Sequence, residues 1–376
     1  MKKLASLVGV ILIASVLLAS CTPAPTTSSG TSAAPGGTSA TQTGTSAAPA
    51  QSVKWRAQSN EVSGTARYAA VEYFCEKLKE ASGGRFEIEL YPSDVLYPTM
   101  NAIEATKQGI VEASFTTGDY MAGKEPMLKL VPYRTSDPWE HDFDTMSKFF
   151  EKMFPLVKEA YESFGGIVYV DSVVAYPGES LHSTKKITGL ADFKNLLIRS
   201  SGLGQELYQA LGASIVTMPM TEVYQALQLN TIEAFEAGGY MDNYQSALHE
   251  VVKYNIEPAL HSPVGVNTED FIINEKAWNA LPDDLRELIA SCAEDSRKHC
   301  WDDLTAQYAE GKKLFEAAGV ETLTLPEEDV KAARLIAAQT LKAYWGKSEL
   351  TDKFLQVYMD FLTEIGRDDL AKAIAK

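Results

Sequence analysis

Histidine and cysteine are scarce in this chain of 376 residues, which holds five of the first and four of the second, and that scarcity removes whole classes of chemistry. His141, His182, His249, His261 and His299 form no metal-ligand cluster by spacing. His249-Glu250-Val251-Val252-Lys253 fails as a zinc motif, because lysine stands where a second histidine is required. No Gly-x-Ser-x-Gly nucleophile elbow occurs. Gly118 to Lys124 has the glycine and lysine spacing of a phosphate loop, but Glu125 replaces the hydroxyl residue that would hold magnesium. A tethered hydrolase, or any other enzyme, therefore has no constellation behind it, and no cofactor is expected.

Positive charge is the next shortage. Lys and Arg number 34 against 50 Asp and Glu, for a net charge of -16, which excludes nucleic acid as a partner. An acidic shell also repels small anions at long range. Any anion site must then rest on a dedicated local cation, which directs attention to single arginines.

Charge is missing altogether from Thr22 to Ser52, a stretch of Thr, Ser, Ala, Gly, Pro and Gln in which Gly-Thr-Ser-Ala-Ala-Pro occurs at 30–35 and again at 44–49. Nothing there can build a core, and random-coil statistics give it a reach of about 30 Å. It reads as a stalk. Ahead of it, Lys2 and Lys3 precede an apolar run from Leu4 to Ala19, too short for a membrane span and suited to an export leader over 1–20. Leu18-Ala19-Ser20-Cys21 matches the bacterial lipobox, so Cys21 is the expected lipidation site and the bilayer a partner, with the protein anchored on the extracytoplasmic side. Cys75, Cys292 and Cys300 remain, an odd number. The last two stand eight residues apart on one helical stretch, about 12 Å of rise and too far for a disulfide. All three are expected as buried thiols.

What is abundant is core: 45% of the residues are hydrophobic, and at roughly 100 to 200 residues per domain the length suggests two domains. Val53–Gln58, Phe86–Leu90 and Val111–Phe115 alternate as strands do, and two stretches of helical spacing, Val62–Ala81 and Met100–Gln108, separate them. The same β-α-β-α-β order recurs in strands at Leu196–Arg199, Ile215–Met218 and Ile232–Glu236, with helices at Gly202–Leu211 and Thr221–Leu229. Strands separated by helices call for parallel pairing with right-handed crossovers. The expected fold is α/β and two-lobed: lobe I over 53–172, completed by part of 264–376, and lobe II over 173–263. A helix over 281–318, with some 36 residues in helical spacing, would span about 54 Å, longer than one lobe is wide, and so reads as a spine across both, with C-terminal helices over 320–376. In such sheets ligands bind beyond the carboxyl ends of the strands, where Arg199 and Glu236 both stand.

Several segments resemble, in family order, the solute-binding proteins of TRAP transporters: Gly83-Gly84-Arg85-Phe86 through Pro92, Leu197-Ile198-Arg199-Ser200-Ser201-Gly202, Leu211-Gly212-Ala213 through Pro219, Tyr224-Gln225-Ala226-Leu227-Gln228, and Phe271-Ile272-Ile273-Asn274 through Trp278. Trp55–Ser59, Gly118–Lys124 and the Glu236 segment look most like the branch that binds α-keto acids. The resemblance implies a periplasmic-binding-protein fold with the long helix, and a receptor that hands a small organic acid to TRAP membrane subunits. A sensor of the same fold serving a signalling kinase is the alternative. It places Arg199 against the ligand carboxylate, with Glu236, Tyr120, Tyr176, Tyr240, Gln58 and Ser262 around it. In the keto-acid branch the matching glutamate helps hold a bridging cation. Here the companion ligands fall near Tyr176 and Ser262, poor partners for a hard cation, so no metal is expected. The amphipathic helix over Leu350–Ile365 is expected to pack on its own lobe, with a homodimer exchanging that region left open.

Overall fold

The structure, a computed structural model, describes residues 52–130, 142–176, 178–260 and 268–376. The expected leader, Cys21 and most of the stalk, and also Ser262, lie outside the described residues.

The first half opens as its periodicity suggests: β1 (Val53–Ser59), α1 (Ala66–Ala81), β2 (Phe86–Tyr91), α2 (Ala102–Gln108) and β3 (Ala113–Thr116). Thr65 starts α1 by accepting the Tyr68 amide on its hydroxyl, and Val71, Phe74 and Leu78 bury one face of the helix completely. After the one-turn α3 (Met127–Leu130) and the long α4 (Phe143–Glu162) come β4 (Ile167–Ala175) and β5 (Ser180–Ser183). The second motif follows as β6 (Leu197–Arg199), α5 (Gly204–Ala210), β7 (Ser214–Val216), α6 (Met220–Gln228), β8 (Ala234–Ala237), α7 (Tyr240–Gln245) and β9 (Tyr254–Glu257). The chain then runs through β10 (Thr268–Asn274), α8 (Glu275–Asn279), α9 (Asp283–Ala317), β11 (Glu321–Thr324), α10 (Glu327–Thr340), α11 (Glu349–Glu364) and α12 (Asp368–Ile374).

Two sheets result, ordered β2-β1-β3-β10-β4 and β11-β9-β5-β8-β6-β7. Both βαβαβ units pair in parallel as expected, β1 with β2 and β3, β6 with β7 and β8. Each unit is then extended by a strand of the opposite sense that arrives from elsewhere in the chain. β10 runs antiparallel to β3 and β4, while β5 runs antiparallel to β8 and β9. Because β4 and β5 are consecutive but belong to different sheets, the segment between them crosses from one lobe to the other. β9 and β10 make the return. The C-terminal region is also not purely helical, since β11 pairs in parallel with β9 at the edge of the second sheet.

The spine is real: α9 runs for 35 residues, about 52 Å. Asp283 and Asp284 in its first turn complement the positive end of its dipole. Leu285, Ile289, Cys292 and Ala293 join the core of the first sheet, while Phe315, near the other end, packs with Tyr240 and Phe235 in the second. Gly311 sits where the helix crosses the start of α7. A Cβ there would lie 2.3 Å from the Met241 nitrogen and 2.6 Å from the Tyr240 carbonyl carbon. The one interruption of the helical pattern is thus a close backbone contact. Cys75, Cys292 and Cys300 are free and buried, as expected, and burial pushes the Cys300 thiol up to about 12.

A third layer covers both lobes. Phe354, Tyr358 and Phe361 of α11 gather around Phe149 of α4 in the same chain, with Phe149 to Phe361 ring centroids 4.9 Å apart. The same apolar cluster continues through Leu207 and Tyr208 of α5 and Ala333 and Ala337 of α10. No helix among the described residues is long and apolar enough to cross a membrane.

Candidate functional site: a cleft at the strand carboxyl ends

The carboxyl ends of β1, β3, β6 and β8 face a common cleft, completed by Tyr176 and Glu179 on the crossing segment and Glu269 on β10. This is where open α/β sheets place their ligands. Its wall is ionic. Among the described residues, two arginines, one from each lobe, meet four carboxyl groups there.

Arg199 closes β6 and is 3% exposed. Its guanidinium is aimed by backbone: Nε donates to the Met218 carbonyl at 3.0 Å and Nη1 to the Glu236 carbonyl at 2.9 Å. Nη2 has no hydrogen-bond partner among the described residues. Glu236 thus orients Arg199 through its main chain, while its carboxylate Oε1 accepts the Ser200 hydroxyl at 2.5 Å and the Ser201 amide at 3.0 Å. Those two bonds hold the loop that follows Arg199.

Arg67, in the first turn of α1, was not singled out from the sequence. It is 6% exposed and sits among acids: Glu61 at 3.1 Å, Asp242 at 3.7 Å and Glu179 at 3.9 Å. Its Nη1 also donates to the Tyr176 hydroxyl at 2.6 Å, and its guanidinium carbon lies 4.9 Å from the centre of that ring. A basic residue at a helix N-terminus is electrostatically misplaced on helix grounds alone, which is the signal that could have marked it. The acids around it supply the compensation. Gly238 makes room for this cluster, since a Cβ there would come within 3.4 Å of Arg67 Nη2 and 3.0 Å of Asn243 Oδ1.

Glu61, just past β1, and Glu269, in β10, both line the cleft and lie close enough to act on one another. Burial raises both carboxyls above the ordinary value. The neighbouring Glu61 charge drives Glu269 further up, while Arg67 partly offsets the rise at Glu61. Asn60, with its amide turned to suit its neighbours, donates to Glu269 and to the Phe115 carbonyl at 3.2 Å. Asp119 is also raised by burial, against the lowering effects of its bond from the Thr117 hydroxyl and the nearby Arg199 charge.

Of the other residues expected here, Tyr120 and Tyr176 line the cleft, and burial holds both phenols well above their usual range. Tyr240 does not. It is fully buried in the second lobe, edge-on to His182 and Tyr308, with its hydroxyl donated to Glu257 at 2.5 Å. Gln58 is likewise drawn away: its Oε1 accepts the Leu96 amide at 2.6 Å and its Nε2 donates to the Tyr97 carbonyl at 2.9 Å, pinning the loop after β2.

Two of the donors that the resemblance offers for a bridging cation are turned to other partners. Glu236 Oε1 is already saturated by Ser200 and Ser201, and the Tyr176 hydroxyl faces the Arg67 guanidinium, which repels a metal ion. No group of three or more His, Cys, Asp or Glu suited to a metal occurs among the described residues.

The family model for DctP, bacterial extracellular solute-binding protein, family 7, matches residues 58–348. A monocarboxylate 2-oxoacid-binding periplasmic protein of Nostoc is 25% identical over 314 residues, which span 81% of this chain and 82% of that one. A TRAP transporter solute-binding protein of Bordetella bronchiseptica, with calcium and picolinate, superposes with a TM-score of 0.75 at 20% identity over 86% of this chain and 97% of the other. One from Pseudoalteromonas atlantica, with sodium and pyruvate, gives 0.73 at 21% identity over 84% and 95%. These relatives are solute-binding proteins and not enzymes. The chain belongs to the DctP family of bacterial extracellular solute-binding proteins, the extracytoplasmic solute receptors of TRAP transporters.

Proposed function

We propose that this receptor takes a small organic carboxylate into the cleft, holds its acidic head on Arg199 and delivers it to TRAP membrane subunits, while acyl chains on Cys21 keep it at the membrane. One observation carries the reading. Arg199 is nearly buried, fixed by two backbone carbonyls, and left with Nη2 for a partner that the described residues do not supply. A guanidinium so placed matches a carboxylate geometrically, and each charge-assisted bond contributes about 1.5 to 3 kcal/mol net. Two such bonds supply a large share of the roughly 8 kcal/mol that micromolar affinity requires. The 2-oxoacid-binding relative supports the ligand class. Tyr120 and Tyr176 give the solute body rings to pack on.

Calorimetric titration of a panel of small carboxylates tests this on the parent protein and on Arg199→Ala and Arg199→Lys. Binding should vanish with alanine and weaken at least tenfold with lysine, which keeps the charge and loses the fork. Undiminished binding by either folded variant would defeat the assignment.

A further inference from the structure

Accepting the carboxylate reading above, we infer that the solute is a zwitterion: an acid whose carboxylate goes to Arg199 and whose own cationic nitrogen faces the carboxylates of Asp119, Glu61 and Glu269. The cleft has two chemically different ends. Arg199 supplies one, in a 3% exposed side chain whose Nη2 has no hydrogen-bond partner among the described residues. The other is acidic, and Arg67 does not neutralise it, because that one guanidinium is shared among Glu61, Glu179 and Asp242 at 3.1 to 3.9 Å.

Among the described residues that line this cleft, the carboxyl groups of Glu61, Asp119, Glu179 and Glu269 stand against the two guanidiniums of Arg67 and Arg199. Asp119 is the sharpest case. It lines the same cleft as Arg199, whose charge acts against the rise that burial gives its carboxyl. A solute carboxylate seated on Arg199 takes up that charge and leaves Asp119 facing a second anion in a water-poor space, an arrangement that raises the free energy of both. A solute that brings its own positive nitrogen removes the conflict. An ammonium is also a donor only, so it suits a wall of acceptor oxygens. A metal ion could supply the same charge, but the donors at Glu236 and Tyr176 are turned to other partners.

The test compares acids that differ only at the second carbon, titrated calorimetrically into the purified full-length protein in buffer with a chelator and again with added calcium. The probes are alanine, pyruvate and lactate; valine and phenylalanine, each with its 2-oxo and 2-hydroxy counterpart; and proline and glycine betaine. The inference expects at least one zwitterion to bind roughly tenfold or more tightly than its 2-oxo and 2-hydroxy counterparts, or than every non-amino acid where it has none, regardless of calcium. Asp119→Asn should cut that preference to about threefold or less while Arg199→Lys weakens all acids alike. A thermal melt shows whether each variant is folded, and Glu61→Gln replaces Asp119→Asn if that variant is not.

Oxo or hydroxy acids that bind as tightly as their amino partners, binding that requires calcium, or no binding by any zwitterion in the set overturns the inference. Acids that bind through Arg199 without preferring a cationic nitrogen defeat this inference alone. Acids that bind as well to folded Arg199→Ala defeat the carboxylate assignment itself.

Discussion

Asp242 accepts the backbone amide of Arg67 on Oδ1 at 2.8 Å, tying the first turn of α1 to α7 across 175 residues of sequence. Its other oxygen accepts the Gly239 amide at 3.0 Å, so one buried carboxylate serves the N-termini of two helices from different lobes. The lobes meet here through charge-assisted bonds and not through apolar packing alone. Asp242→Asn keeps the shape but removes the charge that faces Arg67. We expect a loss of about 2 to 3 kcal/mol in chemical denaturation, from the weakened bonds and the less compensated guanidinium. A change below about 0.5 kcal/mol would show that Arg67 is held by Glu61 and Glu179 without help.

Gly311→Ala sets two effects against each other. Alanine improves helix propensity by about 1 kcal/mol. The added methyl would meet main-chain atoms of Tyr240 and Met241 at less than 3 Å, and backbone cannot swing aside as a side-chain tip can. Overpacking of that kind costs about 1 to 3 kcal/mol or more, so the urea midpoint should fall. A rise would mean that α9 and α7 can separate freely.

The Glu61 and Glu269 carboxyls are both raised above the ordinary value of 4.5, chiefly by burial. The folded protein therefore binds protons more tightly than the unfolded chain at these sites. Their contribution to stability is full below pH 4.5 and is lost as pH rises through the folded values. Glu269→Gln, which retains a hydrogen-bonding partner for Glu61 and cannot ionise, should flatten the stability profile above pH 4.5. Melts of parent and variant across that range check it, and parallel profiles would contradict it.

Cys21 carries the anchoring proposal. Cys21→Ala should move the protein from the membrane fraction to the soluble extracytoplasmic fraction while leaving solute binding unchanged. Retention in the membrane fraction would assign the attachment elsewhere.

Much of the frame was legible because it is local. The alternation of Phe86, Ile88 and Leu90, the helical spacing of Phe74 and Leu78, and the unbroken pattern of α9 each depend only on near neighbours in sequence. The position of Arg199 on the cleft wall was legible because a strand's carboxyl end is a position with a general meaning. What escaped is what distant segments make together. β5 and β10 are antiparallel insertions whose partners come from other parts of the chain, so the sheets read as shorter and purely parallel. The acidic wall is a product of that insertion: Glu269 reaches Glu61 only because β10 enters the first sheet beside β3. Tyr240 and Gln58 stand outside the cleft lining for a related reason. Each has a polar tip suited to a ligand, and in each case Glu257 or the Leu96–Tyr97 backbone takes it first.

A crystal structure of the protein with its solute bound tests the central claim most directly. The account predicts a solute carboxylate oxygen within about 2.7 to 3.2 Å of Arg199 Nη2, with Nε and Nη1 still on the Met218 and Glu236 carbonyls. A carboxylate seated on Arg67 instead, or a solute bound outside this cleft, would contradict it.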